Sequence, residues 1–353
     1  MSADGLAVVS PKGTGTGGNA DGVQVTTKRL IQIVVSLGLI GLLLWWIDPR
    51  ELGRILASAD VPLLVLALVI ATGNRILMAV KWNVLLSAQG IELSWIHAVR
   101  VYYQSTFLGV FLPPTVGGDV VRAWLVHRSE ARLPEIASSI LVERILGLLT
   151  LAVFGMVAAA LLPSMIGPGA VDEERLFAIV AGAGMVALAL FALSFSALAE
   201  RIANAVARRL SNVPVVGKVA GMVANIHVAY RDYRHHRGTL VLFFLLTMLE
   251  NALPILRAWV VALAIGVTVS PMWFLIIVPL ELVLIRIPLS FDGFGIREGL
   301  FVWFLAFAGV AESAGFAVGL TNHLLFLVAV LPGGFFHLMD PIARRGPTIK
   351  GAG

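Results

Sequence analysis

The chain has 353 residues and a formal net charge of +5; it is 58% hydrophobic, only 13% charged, and has a mean hydropathy of +0.91. Soluble domains hold roughly 45–50% apolar and about 25% charged residues, so this chain has too little polar side chain to cover a soluble globule. The long apolar runs are continuous, which points to membrane helices rather than the alternating strands of a β-barrel. No cysteine is present, so disulfides and thiolate chemistry are excluded. The seven histidines show no metal-ligand spacing, and neither a metal nor a cofactor is expected.

Residues 1–27 are rich in Gly, Thr, Asn and Ala and read as a disordered cytoplasmic tail. Lys28 and Arg29 precede the run 30–47, which reads as an uncleaved signal anchor with Trp45 and Trp46 at the far interface. Full-length helical candidates are 30–47, 62–80, 138–162, 176–199, 239–267 and 315–337. Two further regions, 96–127 and 272–311, are apolar but broken by Pro and Gly.

Orientation follows from the 26 Lys and Arg residues. Sixteen fall in segments placed inside, Lys81 and seven residues of 200–238 among them. Three fall outside: Arg50, Arg54 and Arg175. The bias predicts cytoplasmic termini, the second at 341–353, in a multi-pass protein of the inner membrane. Region 96–127 then starts and ends inside, and reads as a re-entrant hairpin. Region 272–311 reads as a second hairpin from outside, although two full crossings satisfy the same parity. The basic linker 200–238 carries Val219, Val223, Ile226 and Tyr230 at helical spacing, a pattern suited to anionic inner-leaflet lipids. Nucleic acid is not an expected partner.

The order helix, helix, hairpin, helix occurs twice, over 28–163 and 174–340. The expected fold is therefore all-α: six spanning helices plus two hairpins in an inverted-topology repeat, a plan that places transport sites at mid-membrane. Asn74 and Trp82 in the first unit correspond to Asn251 and Trp259 in the second. Pro113 precedes Arg122 by nine residues, as Pro288 precedes Arg297.

Thirteen charges remain inside apolar segments: Arg75, Arg100, Arg122, Arg144, Arg257, Arg286 and Arg297, with Asp119, Glu143, Glu250, Glu281, Asp292 and Glu298. Each costs about 2.5–3.5 kcal/mol at a bilayer centre, so they face a polar cavity or one another. Arg100 and Arg286 are placed to snorkel. The guanidinium fork suits phosphate oxygens. Gly117 and Gly118, and Gly293 and Gly295, offer backbone N–H groups to an anion at the hairpin tips. The alternative is that these charges are ion pairs that fix helix packing.

The stretches FLPPTVGGDVVRAWLV (111–126), SSILVERILGLLTL (138–151), GFGIREGLF (293–301) and LPGG (331–334) resemble the flippase-like family of the lysylphosphatidylglycerol synthase transmembrane region. The resemblance implies movement of lipids with anionic or lipid-linked headgroups between leaflets. It carries site roles onto Asp119, Arg122, Glu143, Arg144, Arg297 and Glu298; Arg75, Glu250 and Arg257 join them as intramembrane charges. Asp292 departs from the small residue usual at that position. No polar stretch holds an aminoacyl-transferase domain, so a non-enzymatic lipid flippase is expected. A non-transporting accessory subunit and an intramembrane lipid-phosphate enzyme are the competing readings; for the latter, no Ser-Arg-Ser element accompanies Thr115 or Ser290.

Overall fold

Every regular element among the described residues is helical, as expected. The computed structural model describes residues 49–112, 117–130, 132–166, 225–285 and 290–339, with a few isolated positions between 34 and 201. The helices are α1 (Pro49–Ala57), α2 (Val61–Ala88), α3 (Trp95–Val110), α4 (Gly117–Glu130), α5 (Leu133–Ile166), α6 (Arg237–Ala264), α7 (Met272–Leu284), α8 (Ile296–Ala306), α9 (Glu312–Val330) and α10 (Pro332–Met339). A 3-10 turn, Phe291–Gly293, precedes α8.

Four stretches are long and apolar enough to cross a membrane: Val61–Ala88, Leu133–Met165, Arg237–Ala264 and Glu312–Met339. They match the expected spans 62–80, 138–162, 239–267 and 315–337. The spans 30–47 and 176–199 lie outside the described residues, apart from isolated positions, as do both tails and most of the basic linker. Helix starts follow local chemistry. The Asp60 side chain accepts the Leu63 N–H at 3.0 Å and Pro62 sits in the first turn of α2; Ser94 accepts the His97 N–H at 3.3 Å to open α3.

Helices α2 and α6 lie antiparallel along their lengths. At one end the Asp60 N–H donates to the Ala264 carbonyl (2.8 Å); toward the other, Lys81 Nζ meets Thr247 Oγ1 (3.2 Å) and Glu250 Oε2 (2.5 Å). Lys81 is thus a buried residue inside α2 and not a loop cation. The helix continues eight residues past the expected end because partners on α6 neutralise that charge.

Both broken regions are helical pairs. Helices α3 and α4 fold back on each other, so close at Gly118 that an added Cβ would sit 3.2 Å from the Ser105 carbonyl. Helices α7 and α8 do likewise, with Phe274 against Phe301 and Glu281 against Arg297. The turn into α8 is left-handed at Asp292, Gly293 and Gly295 (φ +47°, +80° and +84°); glycine adopts this readily and Asp more readily than most residues. The LPGG element seats α10 on α3, because a Cβ at Gly333 would overlap the Tyr103 carbonyl.

One apolar cluster joins Ile255, Phe274, Ile277 and Phe301 of α6 to α8. A second joins Trp82, Tyr102, Leu125 and Ile140 of α2 to α5. The linker expectation is corrected at Tyr230. This residue lies in a helical stretch, 225–232, but is buried against Leu85, Val142 and Phe243 and so is not turned to the leaflet. Val219 and Val223 lie outside the described residues. Arg100 is exposed, its guanidinium 6.0 Å from the Phe336 ring centre.

Candidate functional site

A cavity of about 300 Å³ opens beside the midpoints of α2 and α6. Its polar wall comes from Asn74 and Arg75 of α2, Gly118, Asp119 and Arg122 of α4, Arg144 of α5, Glu250, Asn251 and Arg257 of α6, Glu281 of α7, and Asp292 and Arg297 beyond the second break. Met78, Val278, Leu282, Ile285 and Phe326 supply an apolar wall. Pro254 also lines it; with no N–H to give, it leaves the Glu250 carbonyl without its usual helical partner. Asn74 and Asn251, matched in the sequence, face one cavity.

On the first side the GGDxxR and ER elements interlock. Arg122 Nη2 meets Glu143 Oε2 (2.6 Å) and Asp119 Oδ1 (3.1 Å), and Arg144 Nη2 meets Asp119 Oδ2 (2.6 Å). The Tyr102 hydroxyl donates to Glu143 Oε1 (3.3 Å), and Lys81 Nζ is 4.0 Å from the same oxygen. The Arg122 guanidinium stacks between the rings of Trp82 (4.5 Å) and Tyr102 (4.9 Å). Its Nε and Nη1 are buried and make no hydrogen bond among the described residues, and the same holds for Asn74 Oδ1.

On the second side Arg297 Nη1 pairs with Glu281 Oε1 (3.1 Å). Its Nε donates to the Asp292 carbonyl (3.2 Å), and its Nη2 is 3.8 Å from Asp292 Oδ1. Arg297 and Arg75 both lie over the Phe326 ring, at 5.3 and 4.8 Å. Glu298 is fully buried. One oxygen accepts the Gly295 N–H at 2.7 Å and the other lies 3.1 Å from His323 Nδ1.

Eight expected site residues therefore line the cavity: Arg75, Gly118, Asp119, Arg122, Arg144, Glu250, Arg257 and Arg297. Glu143 and Glu298 stand behind the wall as partners, and Gly117, Gly293 and Gly295 do not line it. The expected anion-binding backbone of the second tip is corrected at Gly295, whose N–H is already taken by Glu298. Pro113, Pro288 and Arg286 lie outside the described residues. Sequence reasoning left Lys81, Tyr102, Glu281 and His323 out of the site; of these, Glu281 alone carried a signal, as a carboxylate in an apolar run.

The basic side chains of the wall differ in their partners. Arg122, Arg144 and Arg297 form ion pairs, whereas Arg75 contacts Met78 Sδ at 3.3 Å and Arg257 Nε donates to Asn322 Oδ1 at 2.9 Å. Among the described residues neither Arg75 nor Arg257 makes an ion pair.

Over residues 30–334 the sequence matches the family described as the lysylphosphatidylglycerol synthase TM region, and the chain belongs to that family. It is similar to the glycosyltransferase AglD of Haloferax volcanii, 28% identical over 346 residues that cover 88% of this chain and 55% of that protein. The chain thus spans about half the length of this relative. It is also similar to a UPF0104 membrane protein of Methanothermobacter thermautotrophicus, 23% identical over 270 residues covering 72% and 76% of the two chains. A UPF0104 membrane protein of Pyrococcus horikoshii is 24% identical over 134 residues, covering 37% and 40%.

Proposed function

We propose that this member of the lysylphosphatidylglycerol synthase TM-region family moves lipids with a phosphate-bearing headgroup between the leaflets of the inner membrane. The observation that carries the reading is the charge of the cavity. Five guanidinium groups face four carboxylates, and Arg75 and Arg257 make no ion pair among the described residues. A buried cation without a counter-ion is costly. A phosphate supplies both the charge and acceptors matched to the guanidinium fork. The apolar wall accommodates the first methylenes below a headgroup.

Element spacing supports the inverted repeat. Val61 and Arg237, Trp95 and Met272, Gly117 and Ile296, and Leu133 and Glu312 open equivalent helices 176–179 residues apart. The first hairpin leaves from the Ala88 end of α2. The second leaves from the Ala264 end of α6, which lies beside Asp60 at the other end of α2. Helices α7 and α8, of 13 and 11 residues, extend about 20 and 16 Å, short of the roughly 30 Å of hydrocarbon. Re-entry fits these lengths better than two crossings. Cytoplasmic termini and a linker on anionic lipid complete the reading from the bias of basic residues.

The test is exchange of tail-labelled phosphatidylglycerol, phosphatidic acid, polyprenyl phosphate and phosphatidylcholine in vesicles holding the purified chain. A membrane-impermeant quencher reads the inner leaflet. At least one anionic lipid exchanges faster than in empty vesicles and faster than phosphatidylcholine, and Arg75→Ala or Arg257→Ala slows it about tenfold or more, the equivalent of one lost charge-assisted hydrogen bond. Failure of all three anionic lipids to exchange refutes the proposal. It favours instead an accessory module for a lipid-modifying enzyme, a reading to which the glycosyltransferase name of the longer Haloferax relative lends support.

A further inference from the structure

His323 is fully buried on α9, and each ring nitrogen faces a carboxylate. Nδ1 is 3.1 Å from Glu298 Oε1, and Nε2 is 3.2 Å from Asp292 Oδ2. A neutral imidazole has one N–H and one bare lone pair, and an ionised carboxylate only accepts. With all three groups in those forms, one contact would set lone pair against lone pair. The arrangement therefore holds one further proton, either as imidazolium or as a carboxylic acid. The Gly295 N–H fixes Glu298 from behind, and the Phe294 ring covers the imidazole with centroids 4.0 Å apart.

The charged groups around this cluster come from several elements. Helix α8 supplies Arg297 as well as Glu298, and α7 supplies Glu281 as the partner of Arg297. Arg75 of α2 shares the Phe326 face with Arg297, and Arg257 of α6 binds Asn322, the neighbour of His323 in sequence. Among the described residues, α1, α3 and α10 bring no further ionisable side chain into hydrogen bonding or ion pairing with His323.

We propose that Asp292, His323 and Glu298 form a proton-binding site that couples proton movement to lipid transport; the inference rests on the transport reading above. Asp292 lines the cavity while His323 and Glu298 are sealed from it, so the proton enters and leaves through Asp292. Asp292 is shared between Arg297 (3.8 Å) and His323 (3.2 Å). A phosphate oxygen arriving at Arg297 takes the place of Asp292 there, which leaves that carboxylate with His323 as its partner. The proton already on the cluster stays there while the phosphate occupies Arg297. Once the phosphate departs and Asp292 returns to Arg297, the proton passes to a cavity water and leaves as hydronium; a hydronium ion reloads the cluster, leaving as water, before the next lipid binds. Proton and headgroup are bound together and move in the same direction, which makes the transfer of a singly charged lipid electrically neutral.

Two measurements test this on the full chain in vesicles. The first is solid-state NMR of isotopically labelled histidine between about pH 5 and pH 8, with His323 identified by subtraction of His323→Gln, beside infrared spectra in the carboxyl region. The expected result is protonation of both ring nitrogens of His323, or a protonated carboxyl band that disappears in Asp292→Asn or Glu298→Gln. A neutral ring with every carboxyl of the cluster ionised across the range overturns the proposal. The second uses whichever of the three labelled anionic lipids exchanges fastest, with the membrane potential clamped at zero and a gradient of one pH unit. One proton per lipid drives the label to about a tenfold excess in the leaflet facing the alkaline side, and a protonophore returns the ratio to one. Rapid exchange with equal leaflets in the gradient overturns the coupling and leaves the transport reading standing. No exchange by the wild type under any gradient overturns both.

Discussion

Removal of Arg122 separates an ion-pair role from a direct substrate role. The guanidinium is 3% exposed and holds Glu143 at 2.6 Å and Asp119 at 3.1 Å. Breaking a buried pair from one side costs about 3–5 kcal/mol, because the remaining charge is stranded. Here Asp119 keeps Arg144 at 2.6 Å, and Glu143 keeps the Tyr102 hydroxyl and, at 4.0 Å, Lys81. The expected loss for Arg122→Ala is therefore at the lower end, about 3 kcal/mol. The double variant Arg122→Ala with Glu143→Ala recovers part of it. Arg257→Ala strands no carboxylate, since its partner is the neutral Asn322; it should leave stability within about 1 kcal/mol of the wild type, the worth of a single hydrogen bond. The assay is monodisperse yield and thermal stability in detergent for both single variants and the double. Equal stability of Arg122→Ala and Arg257→Ala would refute the reasoning, as would a double variant no more stable than Arg122→Ala.

Three further outcomes are expected. Gly333→Ala places a methyl group against the Tyr103 carbonyl and should destabilise by about 1–3 kcal/mol, read as a lower thermal midpoint, through the lost seat of α10 on α3. The chain has no native cysteine, so single-cysteine labelling is clean: Ser164→Cys should react with impermeant reagent from outside and Ser211→Cys only from inside, and the opposite pattern reverses the orientation. Thr106→Cys and Ile285→Cys, on the two hairpins but lining one cavity, should protect one another's labelling once either carries a bulky reagent; independent labelling would mean separate chambers.

Hydropathy made the four described spans and both breaks legible, because burial in lipid leaves its mark on every residue of a span. The end of α2 was misread at Lys81 because the charge is neutralised by Glu250, 169 residues away, and hydropathy carries no information on such a partner. The conjunction of Asp119, Arg122, Glu143 and Arg144 was legible as motifs, but which of them pair was not. Arg75 and Arg122 look alike in sequence, each an arginine in an apolar helix; only the folded chain shows that one meets Glu143 and the other a thioether and an aromatic ring. His323 left no trace, since a lone histidine in an apolar run has no spacing to recognise. Gly295 was legible as a tip, but not the return of Glu298 to cap it.

The distribution of ion pairs also bears on how the chain is made. Asp119, Arg122, Glu143 and Arg144 satisfy one another within the N-terminal half, and Glu281, Asp292, Arg297, Glu298 and His323 do so within the C-terminal half. Lys81 with Glu250 is an ion pair that joins the halves. Ribosomes add about 5–20 residues per second, so the 169 residues between those two take on the order of 10–30 s to emerge. Through that interval Arg122 and Arg144 already hold their carboxylates, and Lys81 has Glu143, 4.0 Å away, as a provisional partner shared with Arg122. The first half therefore leaves the insertion machinery with its own pairs closed but an excess of positive charge at Arg75 and Lys81, and the arrival of Glu250 on the second half supplies the counter-charge of Lys81.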